Sequence, residues 1–158
     1  MESVRFRQAE QSDAQELWWT KHAAIDNIDI DEYTDDQLRA WKPDGEAVTD
    51  FARAIESDTF DILVAERAEI VGYGVLNVEE RRIDAVFVHP DSMGEGIATS
   101  LVKQLETRAQ MRSISALTIV SSLNAKPFYE SLGYSQRGEK TRTIDGVDIE
   151  FAVMRKAL

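Results

Sequence analysis

The residues that are best suited to chemistry lie in the stretch AVFVHPDSMGEGIATSLVKQLE, residues 85–106. An apolar run and an amphipathic run flank Gly94, Gly96 and Ala98. Glycine loses much conformational freedom on folding, so two glycines in one turn indicate that another group approaches the backbone closely. Backbone N–H groups at the start of a helix bind anions, assisted by the helix dipole. The strand–turn–helix pattern therefore predicts a cradle for phosphate oxygens.

Two better-known phosphate loops do not fit this stretch. It lacks the Gly-Lys-Ser/Thr ending of a P-loop, and the spacing of Gly94, Gly96 and Ala98 differs from that of a dinucleotide fingerprint. A glycine turn that only lets the strand and the helix pack closely remains the alternative on spacing alone.

Two motifs give the sequence a family resemblance. VHPDSMGEGIATSLV resembles the acetyl-CoA-binding motif Arg/Gln-x-x-Gly-x-Gly/Ala of the Gcn5-related N-acetyltransferase (GNAT) superfamily. NAKPFYESLGY resembles the second signature of that superfamily, an Asn-x-x-x-x-Tyr helix that ends in Gly-aromatic. The motifs stand in the family order, and the resemblance covers about residues 4–156. Met93 occupies the position that is normally Arg or Gln, which removes one side-chain donor to the pyrophosphate.

The resemblance implies how acetyl-CoA binds as co-substrate. Main-chain groups of Phe87 and Val88 pair with the pantetheine arm, which lies along the strand like an additional strand. Asn124 contacts the cofactor, while its alternative role is to cap the helix that follows it. The pyrophosphate accepts hydrogen bonds from the backbone N–H groups of Gly94, Glu95, Gly96, Ile97, Ala98 and Thr99.

The same resemblance indicates the catalytic residues. Tyr129 is the predicted general acid, because a tyrosine hydroxyl near the sulfur can protonate the leaving thiolate; its alternative role is core packing. Asp84 is the predicted general base, since a carboxylate inside the strand RIDAVFV is unusual; it can also simply face solvent beside Arg82. Other candidates for the base are Glu79, Glu80, His22 and an ordered water relay.

The run IDNIDIDEYTDD, residues 25–36, resembles a calcium loop only superficially. It lacks the glycine and the distal Glu of a calcium-binding hand, so we expect a solvated acidic loop and no metal site. In the family this segment often borders the acceptor site, where its carboxylates favour a cationic amine. Four aromatic residues are candidates for the lining of that pocket, with core packing as their alternative: Trp18, Trp19, Tyr33 and Trp41.

Composition excludes several classes of protein. The formal net charge of −11 argues against nucleic acid as the main partner. The absence of cysteine excludes disulfides, thiolate metal sites and a cysteine nucleophile. No apolar stretch approaches the ~20 residues of a membrane helix, and MESVRFRQAE does not resemble a signal peptide. These features predict a cytoplasmic protein, whose acidic surface is either an adaptation to high salt or an ordinary cytosolic feature.

Hydrophobic periodicity predicts seven strands and five helices in a single domain over residues 1–158. We expect strands at 4–9, 59–66, 70–79, 82–90, 116–121, 134–140 and 147–156. We expect helices from Ser12, with a Ser12–Gln15 capping box, and at 34–43, 48–57, 97–109 and 124–132. This order predicts an α/β protein of the α+β type, with a mixed, mainly antiparallel central sheet and one parallel pair. The expected fold is that of the acyl-CoA N-acyltransferases (GNAT).

The predicted function is acetyl transfer from acetyl-CoA to a primary amine by direct attack in a ternary complex, because no cysteine is available to carry an acyl intermediate. A non-catalytic acyl-CoA sensor, a protein lysine or N-terminal acetyltransferase, and a phosphate-binding module without CoA are the alternatives. Exposed final strands are compatible with a homodimer.

Overall fold

A seven-stranded sheet runs through the computed structural model, which describes residues 3–28, 31–45 and 47–158. The first two residues of the N-terminal segment, and Asp29 and Ile30 of the acidic run, lie outside the described residues. No helix among the residues described is both long and apolar enough to cross a bilayer.

The elements follow the predicted order. The strands are β1 (Arg5–Gln8), β2 (Phe60–Arg67), β3 (Glu69–Asn77), β4 (Arg82–Val88), β5 (Ala116–Ser122), β6 (Ser135–Ile144) and β7 (Val147–Ala157). The helices are α1 (Ala14–Asp26), α2 (Asp35–Trp41), α3 (Ala47–Glu56), α4 (Ile97–Met111) and α5 (Lys126–Ser131). Short 3₁₀ turns lie at Gln11–Asp13, Pro90–Ser92 and Leu123–Ala125.

The strands are arranged in the order β1-β2-β3-β4-β5-β7-β6. Every neighbouring pair is antiparallel except β4 and β5, which are joined by a crossover through α4. The predicted mixed, mainly antiparallel sheet with one parallel pair is therefore confirmed, as is the predicted fold.

Strand β4 carries one residue more than its partner β3. Val75 pairs with Ala85 and Leu76 with Ile83, which leaves Asp84 in a β-bulge. A bulge bends its strand and increases the local twist. On its other side, β4 pairs with β5 only through Arg82 and Ile83. Beyond Ile83 the two strands have no paired residues, and a gap opens between them.

The core lies on both faces of the sheet because successive strand residues point to opposite sides. In β2, Leu63 belongs to the cluster beneath α4, whereas Ile62 packs with α1 and α3. Helix α4 approaches the sheet so closely that a Cβ at Gly74 would meet Leu105 Cδ1 at 2.8 Å. A third cluster fixes α2 against β7. Both walls of the β4–β5 gap are thus held by buried apolar side chains.

Two predicted helix starts are wrong. Asp13, and not Ser12, organises the start of α1: its carboxylate accepts the Glu10 N–H at 2.7 Å and two bonds from Arg7. These charge-assisted bonds are stronger than those that the Ser12 hydroxyl could form, and α1 begins at Ala14.

Asn124 lies inside a 3₁₀ turn and does not cap α5. The predicted left-handed Gly133 after α5 is confirmed, with φ of 100°.

One buried hydroxyl gives a test of the core. The Tyr73 side chain is fully buried, and its hydroxyl has no hydrogen-bond partner in the part of the chain that the structure describes. A buried polar group without a partner is destabilising. We therefore expect Tyr73→Phe to leave the free energy of unfolding unchanged or to raise it by about 1 kcal/mol, as measured by urea denaturation.

The matched control is Tyr134→Phe, because the Tyr134 hydroxyl donates to Glu106 Oε2 at 2.8 Å. We expect this variant to lose about 1–2 kcal/mol. A larger loss in Tyr73→Phe than in Tyr134→Phe would contradict the assignment of an unpartnered hydroxyl.

Candidate functional site

The gap between β4 and β5 opens into a cavity of about 490 Å³. Strand β4 forms one wall, the Leu123–Ala125 turn the other, and the glycine turn before α4 closes one end. Most of the predicted cofactor residues, together with the predicted acid, line this cavity: Phe87, Val88, Gly94, Gly96, Ile97, Ala98, Thr99, Asn124 and Tyr129. The fold therefore brings together residues that lie more than thirty positions apart in the sequence.

The pairing of β4 with β3 determines which main-chain groups of β4 face the gap. The His89 N–H donates to the Val71 carbonyl at 2.8 Å. Main-chain groups alternate in direction along an antiparallel strand, so those of Val86 and Val88 point into the gap and those of Phe87 point to β3. The predicted pairing of a ligand with the main-chain groups of Val88 fits this register. The main-chain groups of Phe87 do not face the gap, and Phe87 contributes its side chain to the cavity instead.

The glycine turn presents free backbone donors. Gly94 and Gly96 have φ of 82° and 80°, a region that side-chain-bearing residues rarely adopt. A Cβ at either position would meet no atom within 4 Å, so the space beside the turn is open. The first backbone bond of α4 runs from the Ser100 N–H to the Gly96 carbonyl at 3.1 Å. The N–H groups of the first helical turn therefore point outward at the positive end of a fifteen-residue helix.

Glu95 differs from its neighbours, because its side chain turns away from the cavity to an arginine. Arg67 donates to both Glu95 oxygens, at 2.7 and 3.0 Å, and to Ser92 Oγ at 3.3 Å. These bonds lower the pKa of Glu95. The Met93 side chain lines the cavity and is 49% exposed. Arg67, a residue that the motif does not include, thus neutralises the carboxylate beside the turn.

A second, smaller cavity of about 80 Å³ shares part of its lining with the first. The shared residues are Trp41, Val86, Phe87, Ser122, Ala125 and Tyr129. Asp84, Lys21 and Arg142 line only the smaller cavity. The two predicted catalytic residues therefore meet at the smaller cavity, and Tyr129 reaches both.

Tyr129 lies at the junction of the two cavities. Its side chain is 6% exposed and packs against the rings of Phe128 and Tyr134, at centroid distances of 5.0 and 6.0 Å. Burial raises the pKa of Tyr129 well above its ordinary value. Its hydroxyl makes no hydrogen bond with any other described residue. The group therefore carries its proton at neutral pH and can donate it to a bound molecule.

The bulge fixes the Asp84 carboxylate. It accepts a bond from Asn77 Nδ2 at 3.1 Å and an ion-paired bond from Arg82 Nε. Within the described ranges, Asp84 is the one carboxylate that lines either cavity. The alternative bases Glu79, Glu80 and His22 do not line either cavity.

The predicted aromatic pocket is only partly formed. Trp41 lines both cavities, but Trp18 and Trp19 stack with His22 elsewhere. The Tyr33 hydroxyl donates to the Glu150 carbonyl at 2.7 Å and has a structural role. The described carboxylates of the acidic run do not line the cavities either, so they do not form the expected border of the acceptor pocket.

Lys21 and Arg142 were missed by the sequence analysis. Lys21 had a detectable signal, because it falls between Leu17 and Ile25 on the buried stripe of α1 at a spacing of four residues. Burial and the nearby Arg142 charge lower the pKa of Lys21. Arg142 lies on β6, an outer strand of mostly polar and exposed residues, so no sequence pattern distinguished it from its neighbours.

Comparisons with known proteins show the family and the fold of this chain. A family model described as the acetyltransferase (GNAT) domain matches residues 29–158. The uncharacterized N-acetyltransferase YafP of Escherichia coli strain K12 is 28% identical over 134 residues, covering 85% of this chain and 83% of the relative. A structure from Rhodopseudomonas palustris described as a GCN5-related N-acetyltransferase is 28% identical, with a TM-score of 0.91 and coverage of 100% and 98%.

Two more distant structures carry a ligand. PaiA N-acetyltransferase from Thermoplasma acidophilum, in complex with coenzyme A, is 15% identical with a TM-score of 0.76 and coverage of 99% of both chains. YncA from Salmonella typhimurium, a putative acetyltransferase with its cofactor acetyl-CoA, is 17% identical with a TM-score of 0.68 and coverage of 99% and 94%. The likeness of these two to the present chain is one of fold.

Proposed function

The chain belongs to the GNAT acetyltransferase family, and we propose that it transfers the acetyl group of acetyl-CoA to a primary amine of a small molecule or peptide within a ternary complex. The observation that carries the proposal is Tyr129, which lines both the large cavity with the free backbone donors and the small cavity with Asp84. The acetyl donor and the amine acceptor can thus meet at the Tyr129 hydroxyl, which carries a proton.

Acetyl-CoA occupies the larger cavity in this proposal. The pantetheine arm lies along β4 and pairs with main-chain groups of Val86 and Val88, as an added strand would. The diphosphate accepts hydrogen bonds from the amides of the glycine turn, residues 94–99. Asn124 lines the opposite wall. The two fold relatives that hold coenzyme A or acetyl-CoA support this choice of ligand.

The reaction then needs three proton transfers, two from the acceptor nitrogen and one to the sulfur. The acceptor ammonium gives a proton to Asp84, directly or through a water, and the free amine attacks the thioester carbonyl carbon. The carbon–nitrogen bond forms, the attacking nitrogen releases its second proton to water, the carbon–sulfur bond breaks, and the sulfur takes the Tyr129 proton. The products are the acetylated amine and the free thiol of coenzyme A, with Tyr129 reprotonated from solvent. A β4 amide that faces the gap polarises the carbonyl.

A non-catalytic acyl-CoA sensor is the second candidate. It is favoured by Met93, which gives the diphosphate no side-chain donor at the usual motif position. The two candidates differ in one observable: the enzyme releases thiol when an amine is added, and the sensor binds acetyl-CoA without releasing any.

Free-thiol detection with a panel of amines tests the proposed function. The panel holds polyamines, aminoglycosides, amino acids and peptides. We expect thiol release that requires acetyl-CoA and an amine together. In Tyr129→Phe we expect kcat to fall about 100-fold, because the thiolate loses its proton donor, while calorimetry detects little change in acetyl-CoA affinity.

Tyr134→Phe is the matched control, since this residue lines neither cavity, and it should keep its kcat. Unchanged turnover in Tyr129→Phe would remove this residue from the mechanism. Acetyl-CoA binding with no thiol release from any amine would support the sensor.

A pair of glycine variants tests the cofactor site. Gly96 and Gly146 have φ of 80° and 78°, and a Cβ at either one would meet no atom within 4 Å. Alanine should therefore strain both turns equally, by about 1–2 kcal/mol. Only Gly96→Ala places a methyl group beside the donors of α4, so we expect its Kd for acetyl-CoA to rise about 10-fold or more.

Gly146→Ala, in the β6–β7 turn, should keep the affinity of the wild-type chain. Calorimetric titration gives both Kd values, and urea denaturation checks that the two losses of stability match. Equal acetyl-CoA affinities in the two variants would contradict the placement of the diphosphate at the turn.

A further inference from the structure

The smaller cavity contains two cations without a carboxylate partner. Lys21 comes from α1 and Arg142 from β6, and both are half-buried. Their charged groups lie over aromatic rings: Lys21 Nζ is 5.8 Å from the Phe87 ring centroid, and Arg142 Cζ is 5.3 Å from that of Phe151. Neither forms an ion pair with any carboxylate in the described part of the chain.

This arrangement contrasts with the rest of the molecule. The chain has a net charge of −11, and several other half-buried cations have acidic partners. Arg7 pairs with Asp13 at 2.8 Å, and Lys156 pairs with Glu106 at 3.0 Å. Placing two cations in one cavity costs stability because like charges repel and burial disfavours charge. A cost of this kind is typical of functional sites, where a ligand supplies the missing partner.

Among the described residues, the one carboxylate of this cavity already has partners of its own. Asp84 is its one described carboxylate, and that group already accepts bonds from Arg82 and Asn77. The remaining lining is apolar or neutral, with Trp41 and Phe151 among the walls. The cavity therefore presents a positive field at its Lys21–Arg142 side.

The position of the cavity connects this field to the acceptor. It shares Phe87 and Tyr129 with the larger cavity, so a molecule bound there lies next to the thioester of the proposed function. An acceptor with an amine at one end and an anion at the other can direct the amine to Tyr129 and the anion to the cations. A carboxylate or phosphonate can accept the planar, two-pronged hydrogen bonding of Arg142.

We propose that the acceptor is a small primary amine that carries a compact oxyanion, such as an amino acid or an aminoalkylphosphonate, with Lys21 and Arg142 as its specificity-determining residues. This inference rests on the proposed acetyl transfer. It reverses the expectation of a cationic acceptor that the acidic run suggested.

The test compares matched acceptors. Amino acids are assayed beside the corresponding amines without the carboxyl group and the corresponding carboxamides, and aminoalkylphosphonates beside the corresponding alkylamines, all by thiol release from acetyl-CoA. We expect kcat/KM to be at least about 10-fold higher for the anionic member of a pair. In Arg142→Gln and Lys21→Met, kcat/KM should fall much more for the anionic member than for its neutral partner, so that this preference largely disappears.

Arg137→Gln is the matched control, because Arg137 is an exposed arginine on the same strand and lines neither cavity. It should keep the preference of the wild-type chain. Arg142→Glu should shift the preference towards polyamines. Acetyl-CoA affinity, measured by calorimetry for each variant, confirms that the folded site is retained.

Two results would overturn the inference alone: neutral amines that react as well as their anionic partners, or an equal loss of kcat/KM for both members in Arg142→Gln and Lys21→Met. Absence of thiol release with every amine would instead overturn the proposed function, and this inference with it.

Discussion

The unpaired stretch of β4 is the constraint on which the site depends. One additional residue, Asp84, bulges out of the pairing with β3, and pairing with β5 ends at Ile83. Main-chain donors and acceptors beyond this point have lost their strand partner in the middle of a sheet, where such groups are otherwise satisfied. A ligand with an extended, amide-bearing arm can restore these hydrogen bonds. The same bulge places the one described carboxylate of the two cavities beside the gap.

The carboxylates around this gap are each paired with an arginine. Arg67 neutralises Glu95 next to the glycine turn, so the anion-binding amides do not face an uncompensated carboxylate. Arg82 and Asn77 fix Asp84 on the other side of the junction. Between these pairs, apolar side chains surround Tyr129, and their low polarity keeps its hydroxyl protonated. Only the Lys21–Arg142 side carries a charge that no described group balances, and this asymmetry carries the inference about the acceptor.

Local sequence patterns were sufficient for part of this structure. The order of strands and helices, the glycine turn and the signature around Tyr129 are encoded by periodicity, by left-handed backbone positions and by short motifs, and the structure places them together. The start of α1 was wrong because Arg7, on a preceding strand, recruits Asp13. The bulge was not predicted, since it depends on the register between β3 and β4. Arg67 and Arg142 were missed because only the tertiary fold brings β2 to the glycine turn and β6 to the smaller cavity.

The most direct test of the account is amide hydrogen exchange of the whole chain with and without saturating acetyl-CoA, resolved by NMR to single residues. If the β4–β5 gap and the glycine turn hold the coenzyme, exchange will slow at the N–H groups of Val86 and Val88 and across residues 94–99. The turn at Asp145 and Gly146, away from both cavities, will not change. Saturation of the protein with no added protection at β4 and the turn, or with protection confined to other segments, would contradict the central claim.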